Sequence, residues 1–276
     1  MRQMVRRHPL WSYLVIAYVF SWALWSVLLF TTSPDAMQAG PAPSFFILAA
    51  LGGLGPSVAG ILTASIVDGR EGRRDLFARF RQWRVGFGWY VAALFITPLI
   101  GLATLAVERA LGMPTAAWKA MAGSLPVSVI YPIFAALGEE FGWRGFLLPR
   151  LQRQRSALAS SLTVGVAWGL WHIPTQVLAF RQYGLLAVVA NVFVTHLLGV
   201  TAQTIVMTWI HNSRKQSLLL MVLCHYSITF TAMFLFPLSM SVAEGLQHWL
   251  VYAAFYWLAA GIIVAIAGSK RLVRDS

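Results

Sequence analysis

The segment Glu139-Glu140-Phe141-Gly142-Trp143-Arg144-Gly145 lies inside an apolar run, and Glu139 and Glu140 are the only adjacent pair among the nine acidic residues of the chain. Ionisable groups at membrane depth are costly, by a few kcal/mol each on insertion scales, and they usually mark a functional site. At i,i+4 spacing, Glu140 and Arg144 can meet on one helix face. Glu139 then points about 100° away, free to face a cavity. The arginine would hold one carboxylate ionised and oriented. The other, in a drier setting, would suit a general base. An ion pair that only locks helices together is the alternative, and two adjacent acids beside one arginine favour chemistry.

Imidazoles are the natural partners of such a base. Trp168-Gly169-Leu170-Trp171-His172-Ile173-Pro174 places His172 one turn after Trp168, and Pro174 frees a backbone carbonyl and can bend the helix there. Cys224-His225 stands one turn before Thr229. Taken singly, His172 and His225 are each either a packing hydrogen bond or a site residue. His196, with Asn191 and Gln203 in the same span, is expected to make interhelical hydrogen bonds. At 1.5 Å per residue from the expected cytoplasmic ends, Glu139 lies about 14 Å deep, His225 about 12 Å and His172 about 18–22 Å. One carboxylate and two imidazoles could therefore meet below the cytoplasmic surface. Glu139, His172 and His225 would form a Zn²⁺ set if all three project inward. They would equally serve metal-free water activation with oxyanion stabilisers. Spacing leaves both open. The zinc pattern His-Glu-x-x-His and the nucleophile elbow Gly-x-Ser-x-Gly are both absent.

The elements that must position these residues are membrane helices. Of 276 residues, 58% are hydrophobic and only 11% charged, with a mean hydropathy of +0.69. A soluble domain carries about 25% charge. The net charge of +12 sits in short basic clusters between apolar runs, as juxtamembrane anchors do, so a nucleic-acid partner is not expected and a lipid bilayer is. The single cysteine, Cys224, excludes an intrachain disulfide and reads as a small buried hydrophobe. Eight stretches reach the length of about 20 residues that a spanning helix needs. They are about 10–32, 43–67, 86–107, 125–148, 157–180, 185–210, 217–238 and 246–268. The first is too long for a signal-peptide core, so an uncleaved helix is expected.

An N-in, C-in arrangement puts seventeen Lys and Arg residues inside and three (Arg109, Lys119 and Arg181) outside, with Arg144 within a span. The chain divides into 1–124 (three helices and a basic cytoplasmic loop), 125–238 (a core of four) and 239–276 (a last helix and basic tail). Residues 72–84 carry Leu76, Phe77, Phe80 and Trp83 on one helical face, which suits an interfacial helix or a solvated connection. Gly52, Pro56 and Gly60, with Gly53/Ser57 and Gly55/Ala59, form small-residue ladders that let helices approach closely. No internal repeat is visible, which weighs against a proton-coupled transporter that would use the two glutamates as a relay.

At these residues the chain resembles the CPBP family of intramembrane proteases, which includes the type II CAAX prenyl endopeptidases and the Abi-like bacterial membrane proteins. Glu139, Glu140 and Arg144 match the family's Glu-Glu-x-x-x-Arg, and Gly142-Trp143-Arg144-Gly145 and Leu148-Pro149 are also similar to bacterial members. Trp168 to His172 matches Phe-x-x-x-His with Trp for Phe. His225 matches the start of His-x-x-x-Asn/Asp, with Thr229 at its last position. The resemblance covers roughly 125–235. It implies an all-α polytopic bundle in a membrane, expected to be the bacterial cytoplasmic one, that hydrolyses a peptide or protein substrate near the cytoplasmic face. Glu139 would activate water, supported by Glu140 and Arg144. His172 and His225 would position the water, stabilise the oxyanion or hold a metal. Thr229 would stand in for the oxyanion-binding amide with a shorter hydroxyl. The family also includes members regarded as scaffolds or bacteriocin-immunity-like proteins, and Thr229 keeps that reading open.

Overall fold

The computed structural model describes residues 2–33, 35–36, 43–115, 118–235 and 241–273, apart from the side chains of 43 and 118–124. Arg274 and the Lys119 side chain, both counted in the charge asymmetry, lie outside this set. Among the described residues the secondary structure is helical, with no strand. The helices are α1 (Arg2–Arg7), α2 (Pro9–Thr31), α3 (Pro43–Gly53), α4 (Gly55–Val67), α5 (Gly69–Phe80), α6 (Phe87–Ala110) and α7 (Trp118–Gly142). After a π-helical turn at Trp143–Leu147 come α8 (Leu148–Gln152), α9 (Ala157–Trp171), α10 (Ile173–Phe180) and α11 (Leu185–Asn191). A second π-helical stretch, Val192–Val200, leads to α12 (Thr201–Ser213), α13 (Leu218–Leu235) and α14 (Val242–Ala267).

Among the described residues six helical stretches are long and apolar enough to cross a membrane, where eight spans were expected over the chain, which makes this an integral multi-pass membrane protein. They are Pro9–Thr31, Ser44–Val67, Phe87–Ala110, Leu185–Ser213, Leu218–Leu235 and Val242–Ala267. Their outer faces are apolar, as lipid contact requires: Phe30, Phe95, Leu99, Leu258 and Ile266 are all exposed. The other two expected spans are interrupted. The 157–180 stretch breaks at His172 into α9 and α10, because Pro174 cannot donate to the ladder and begins a new helix. The 125–148 stretch changes helix type at Trp143.

The small-residue ladder of α4 brings α7 close. A Cβ on Gly60 would stand 2.8 Å from Gly142 Cα, and one on Gly138 would stand 2.7 Å from the Gly53 carbonyl oxygen. Gly142 lies directly against the Pro56 carbonyl. The other side of α7 packs on α13, and α13 also packs on α6. The glutamate helix is therefore clamped between backbone-close α4 and the helix that carries His225.

The basic stretch forms α5, with Leu76 buried against Gly145 and the rings of Phe77 and Phe80 on Phe141. Its apolar side covers the end of α7. The helix stops at Phe80, so Trp83 lies beyond it and is not part of one continuous helical face as expected. Arg79 turns inward, donating from Nη2 to the Gly145 carbonyl at 2.8 Å and pairing with Asp75 at 3.0 Å. Burial lowers its pKa from the usual arginine value, and the adjacent Asp75 carboxylate opposes that shift.

Candidate active site

Glu139 and Glu140 end α7 just before the π turn, and Arg144 sits within that turn. A π turn inserts one residue into an α-helix and recurs at functional sites. All three side chains are buried: Glu139 is 4% exposed, Glu140 and Arg144 0%. Arg144 Nη1 donates to Glu140 Oε1 at 2.8 Å, its Nη2 donates to Thr204 Oγ1 at 3.2 Å, and its guanidinium lies 4.2 Å over the Trp168 ring. The ion pair is thus anchored to α9 and α12 as well as to its own helix.

Glu139 points elsewhere. Its Oε2 accepts from Trp168 Nε1 at 2.6 Å and from Trp143 Nε1 at 3.3 Å. Its Oε1 faces His225 Nε2 at 3.9 Å. The same imidazole donates from Nδ1 to Glu140 Oε1 at 2.7 Å. One histidine therefore spans the two carboxylates, bonded to Glu140 and separated by a wider gap from Glu139. His225 is 3% exposed, and the Trp168 ring lies 5.1 Å from it, edge to face.

His172 closes α9. Its Nδ1 lies 2.8 Å from the Trp168 carbonyl oxygen, which can only accept, so Nδ1 carries the proton and Nε2 is left to the site. Its ring is edge-on to Trp171 and stacked on His196 at 4.4 Å with planes 18° apart. Thr229 is half-buried on α13, one turn beyond His225. Glu139, Glu140, Arg144 and His225 thus form one cluster, and His172 adjoins it through Trp168, while no bond ties Thr229 to it among the described residues.

One expectation about the neighbouring polar residues is corrected here. His196 makes no interhelical hydrogen bond: neither ring nitrogen has a partner among the described residues, and the ring packs face to face instead. Asn191 bonds the Ala187 carbonyl of its own helix. For zinc, no group of three or more His, Cys, Asp or Glu residues is arranged as a metal site among the described residues. The set of Glu139, His172 and His225 fits one poorly. His225 Nδ1 is committed to Glu140. A zinc ion bonded to both His225 Nε2 and Glu139 Oε1, 3.9 Å apart, would hold them far wider than the tetrahedral angle, since each bond is only about 2.0–2.2 Å long.

Of the two indole donors to Glu139, Trp143 stands at i,i+4, as Arg144 does to Glu140, whereas Trp168 comes from another helix. Trp168 is visible in the sequence only as a variant of the Phe-x-x-x-His motif, yet its Nε1–H supplies a bond that phenylalanine lacks. Thr204, which braces Arg144, is silent in spacing. Between α3 and α7 lies an open apolar groove of about 680 Å³, lined among others by Phe46, Leu51, Leu54, Ile130, Tyr131 and Phe134.

Residues 119–231, which take in every residue of the cluster, match the family described as type II CAAX prenyl endopeptidase Rce1-like. Over 106 residues the chain is 32% identical to CAAX prenyl protease 2 of the archaeon Methanococcus maripaludis. That match covers 35% of this chain and 36% of the relative, so the chain spans about a third of the length of the curated relative it matches. The resemblance carried by Glu139, Glu140, Arg144, His172 and His225 thus extends over the central stretch 119–231 of this multi-pass membrane protein, which is similar to the Rce1-like family.

Proposed function

We propose that the protein is an intramembrane endopeptidase that hydrolyses a peptide bond near the cytoplasmic face with water activated by Glu139. The observation that carries this reading is the 3.9 Å gap between Glu139 Oε1 and His225 Nε2, each oriented from behind by other groups. Two indole N–H groups fix the Glu139 carboxylate, and Glu140 fixes the imidazole. A water oxygen beside the gap would meet both.

Charge balance calls for one proton within the cluster. Two buried carboxylates and one guanidinium leave one negative charge, which one proton on His225 or Glu139 neutralises. With that proton on His225, Glu139 is free to act as base. Glu139 takes a proton from water, and the water oxygen bonds to the substrate carbonyl carbon. The oxyanion that forms is stabilised by the Nε2–H of His225. The carbon–nitrogen bond then breaks as protonated Glu139 returns its proton to the leaving amine. No serine or cysteine in the cluster offers a nucleophile, since Cys224 is buried beside it as a free thiol and Ser160 and Ser161 lie about three turns before His172.

For substrate, we favour a peptide whose cysteine carries an isoprenoid chain, as the name of the archaeal relative suggests for that protein. The apolar groove between α3 and α7 supports this, because it would take a hydrocarbon and is walled by Tyr131, two turns before Glu139 on the same helix. A second reading, a non-proteolytic scaffold, is favoured by Thr229, which shortens the donor where the family pattern has an amide. The deciding experiment is cleavage of a farnesylated peptide ending Cys-Val-Ile-Met by the purified protein in liposomes, wild type against Glu139→Gln. Cleavage that the substitution removes supports the peptidase, and no cleavage by wild type supports the scaffold.

A further inference from the structure

His196 is absorbed neither by the family pattern nor by the proposed chemistry. It is 7% exposed, and neither ring nitrogen has a hydrogen-bond partner among the described residues. Leaving a buried donor and acceptor unsatisfied is costly, and a leucine or phenylalanine would fill the space without that cost. An orphaned polar ring of this kind points to a ligand that completes it.

Its placement is built, not incidental. The ring stacks on His172 at 4.4 Å with planes 18° apart, so the two imidazoles present their edges side by side. His196 sits in the middle of the nine-residue π-helical stretch Val192–Val200, a geometry that is rare and concentrated at functional sites. That stretch is seated hard on α9: a Cβ on Gly169 would stand 2.8 Å from the His196 carbonyl oxygen. The backbone that carries the ring is therefore fixed to the helix that carries His172.

We propose that His196 is a further substrate-binding residue of the hydrolytic site, one of its ring nitrogens making a hydrogen bond to a backbone peptide group next to the scissile bond. A neutral imidazole offers one donor and one acceptor pointing apart, so one of them meets a given peptide group. The stacked rings then differ in role, with His172 facing the reacting centre and His196 holding the chain beside it. This rests on the peptidase reading above.

The test uses the full-length protein in liposomes and a fluorophore-labelled farnesylated peptide ending Cys-Val-Ile-Met. In a Glu139→Gln background, which binds without cleaving, adding H196F keeps the stacked ring and removes both nitrogens. Binding should weaken about tenfold, the loss of one hydrogen bond. In the otherwise wild-type enzyme, H196F should raise KM by about the same factor and change kcat by less than about threefold. Unchanged binding and KM would overturn the proposal. A fall in kcat at constant KM would overturn it too, since His196 would then act only through His172. Should H196F not be recovered folded, the ring ¹⁵N signals of His196 in the Glu139→Gln protein must shift when the peptide saturates, and unmoved signals sink the idea. A folded protein that neither binds nor cleaves the peptide removes the peptidase reading itself, and this proposal with it. Intact binding that is indifferent to H196F removes this proposal alone.

Discussion

Glu139→Gln and Glu140→Gln should give opposite signatures although the two residues are adjacent. In Glu139→Gln, the carboxamide oxygen can still accept from Trp168 Nε1 and Trp143 Nε1, and the neutralising proton is simply absent from His225, so no buried charge is stranded. Stability should change by about 1 kcal/mol or less. The base is gone, however, and kcat should fall by about 10²–10⁴. In Glu140→Gln, Arg144 loses the carboxylate it meets at 2.8 Å and keeps only Thr204 Oγ1 and the face of Trp168. Removing one partner of a buried ion pair costs about 3–5 kcal/mol. His225 also loses the anion at its Nδ1, so activity should fall together with stability. The chain supplies its own reporter: Cys224 is the single cysteine and is 3% exposed, so a thiol-reactive dye labels it when the core opens on heating. Cleavage of the farnesylated peptide in liposomes gives the second axis. Equal destabilisation by the two substitutions, or wild-type cleavage by Glu139→Gln, would refute the division of roles.

Three further outcomes are expected. Gly142→Ala drives a Cβ into the Pro56 carbonyl and should destabilise by about 3 kcal/mol or more, read as a lowered midpoint of Cys224 labelling. Thr229→Asn should raise the cleavage rate and Thr229→Val lower it, by up to the factor of about 10²–10³ that one oxyanion donor supplies; no response from either would remove Thr229 from the reacting carbonyl. Because the described residues form no three-ligand metal set, cleavage should persist in chelator with no stoichiometric zinc in the purified protein, and zinc-restorable loss would overturn the metal-free mechanism.

The acids, the arginine and both histidines were legible because charge inside a hydrocarbon span is conspicuous and i,i+4 spacing predicts the Glu140–Arg144 pair that the structure contains. Close helix approach followed equally from the Gly52–Gly60 ladder, although only the structure shows that its partners are α2 and α7. The rest depended on tertiary contact. Neither π-helical stretch has a sequence period of its own, because an inserted residue leaves composition unchanged and only packing decides where the extra turn falls. Pro174 announced a bend, and the structure divides the stretch there into α9 and α10. His196 read as an interhelical hydrogen-bonding group because spacing cannot tell the edge of an imidazole from its face.

The bridging position of His225 has an epistatic consequence. Its two nitrogens address two different carboxylates, so substitutions at Glu139, Glu140 and His225 should be strongly non-additive, and a double-mutant cycle on any pair will report the third. The coupling is also lopsided. Glu140 is tied to Arg144 and through it to two further helices, while Glu139 is held by two indoles that a neutral side chain satisfies equally well. In a descendant released from selection for hydrolysis, Glu139 would therefore be the first of the three to drift, and Glu140 with Arg144 the last. The order of decay at adjacent positions 139 and 140 then becomes a molecular record of whether a lineage kept the chemistry or only the bundle.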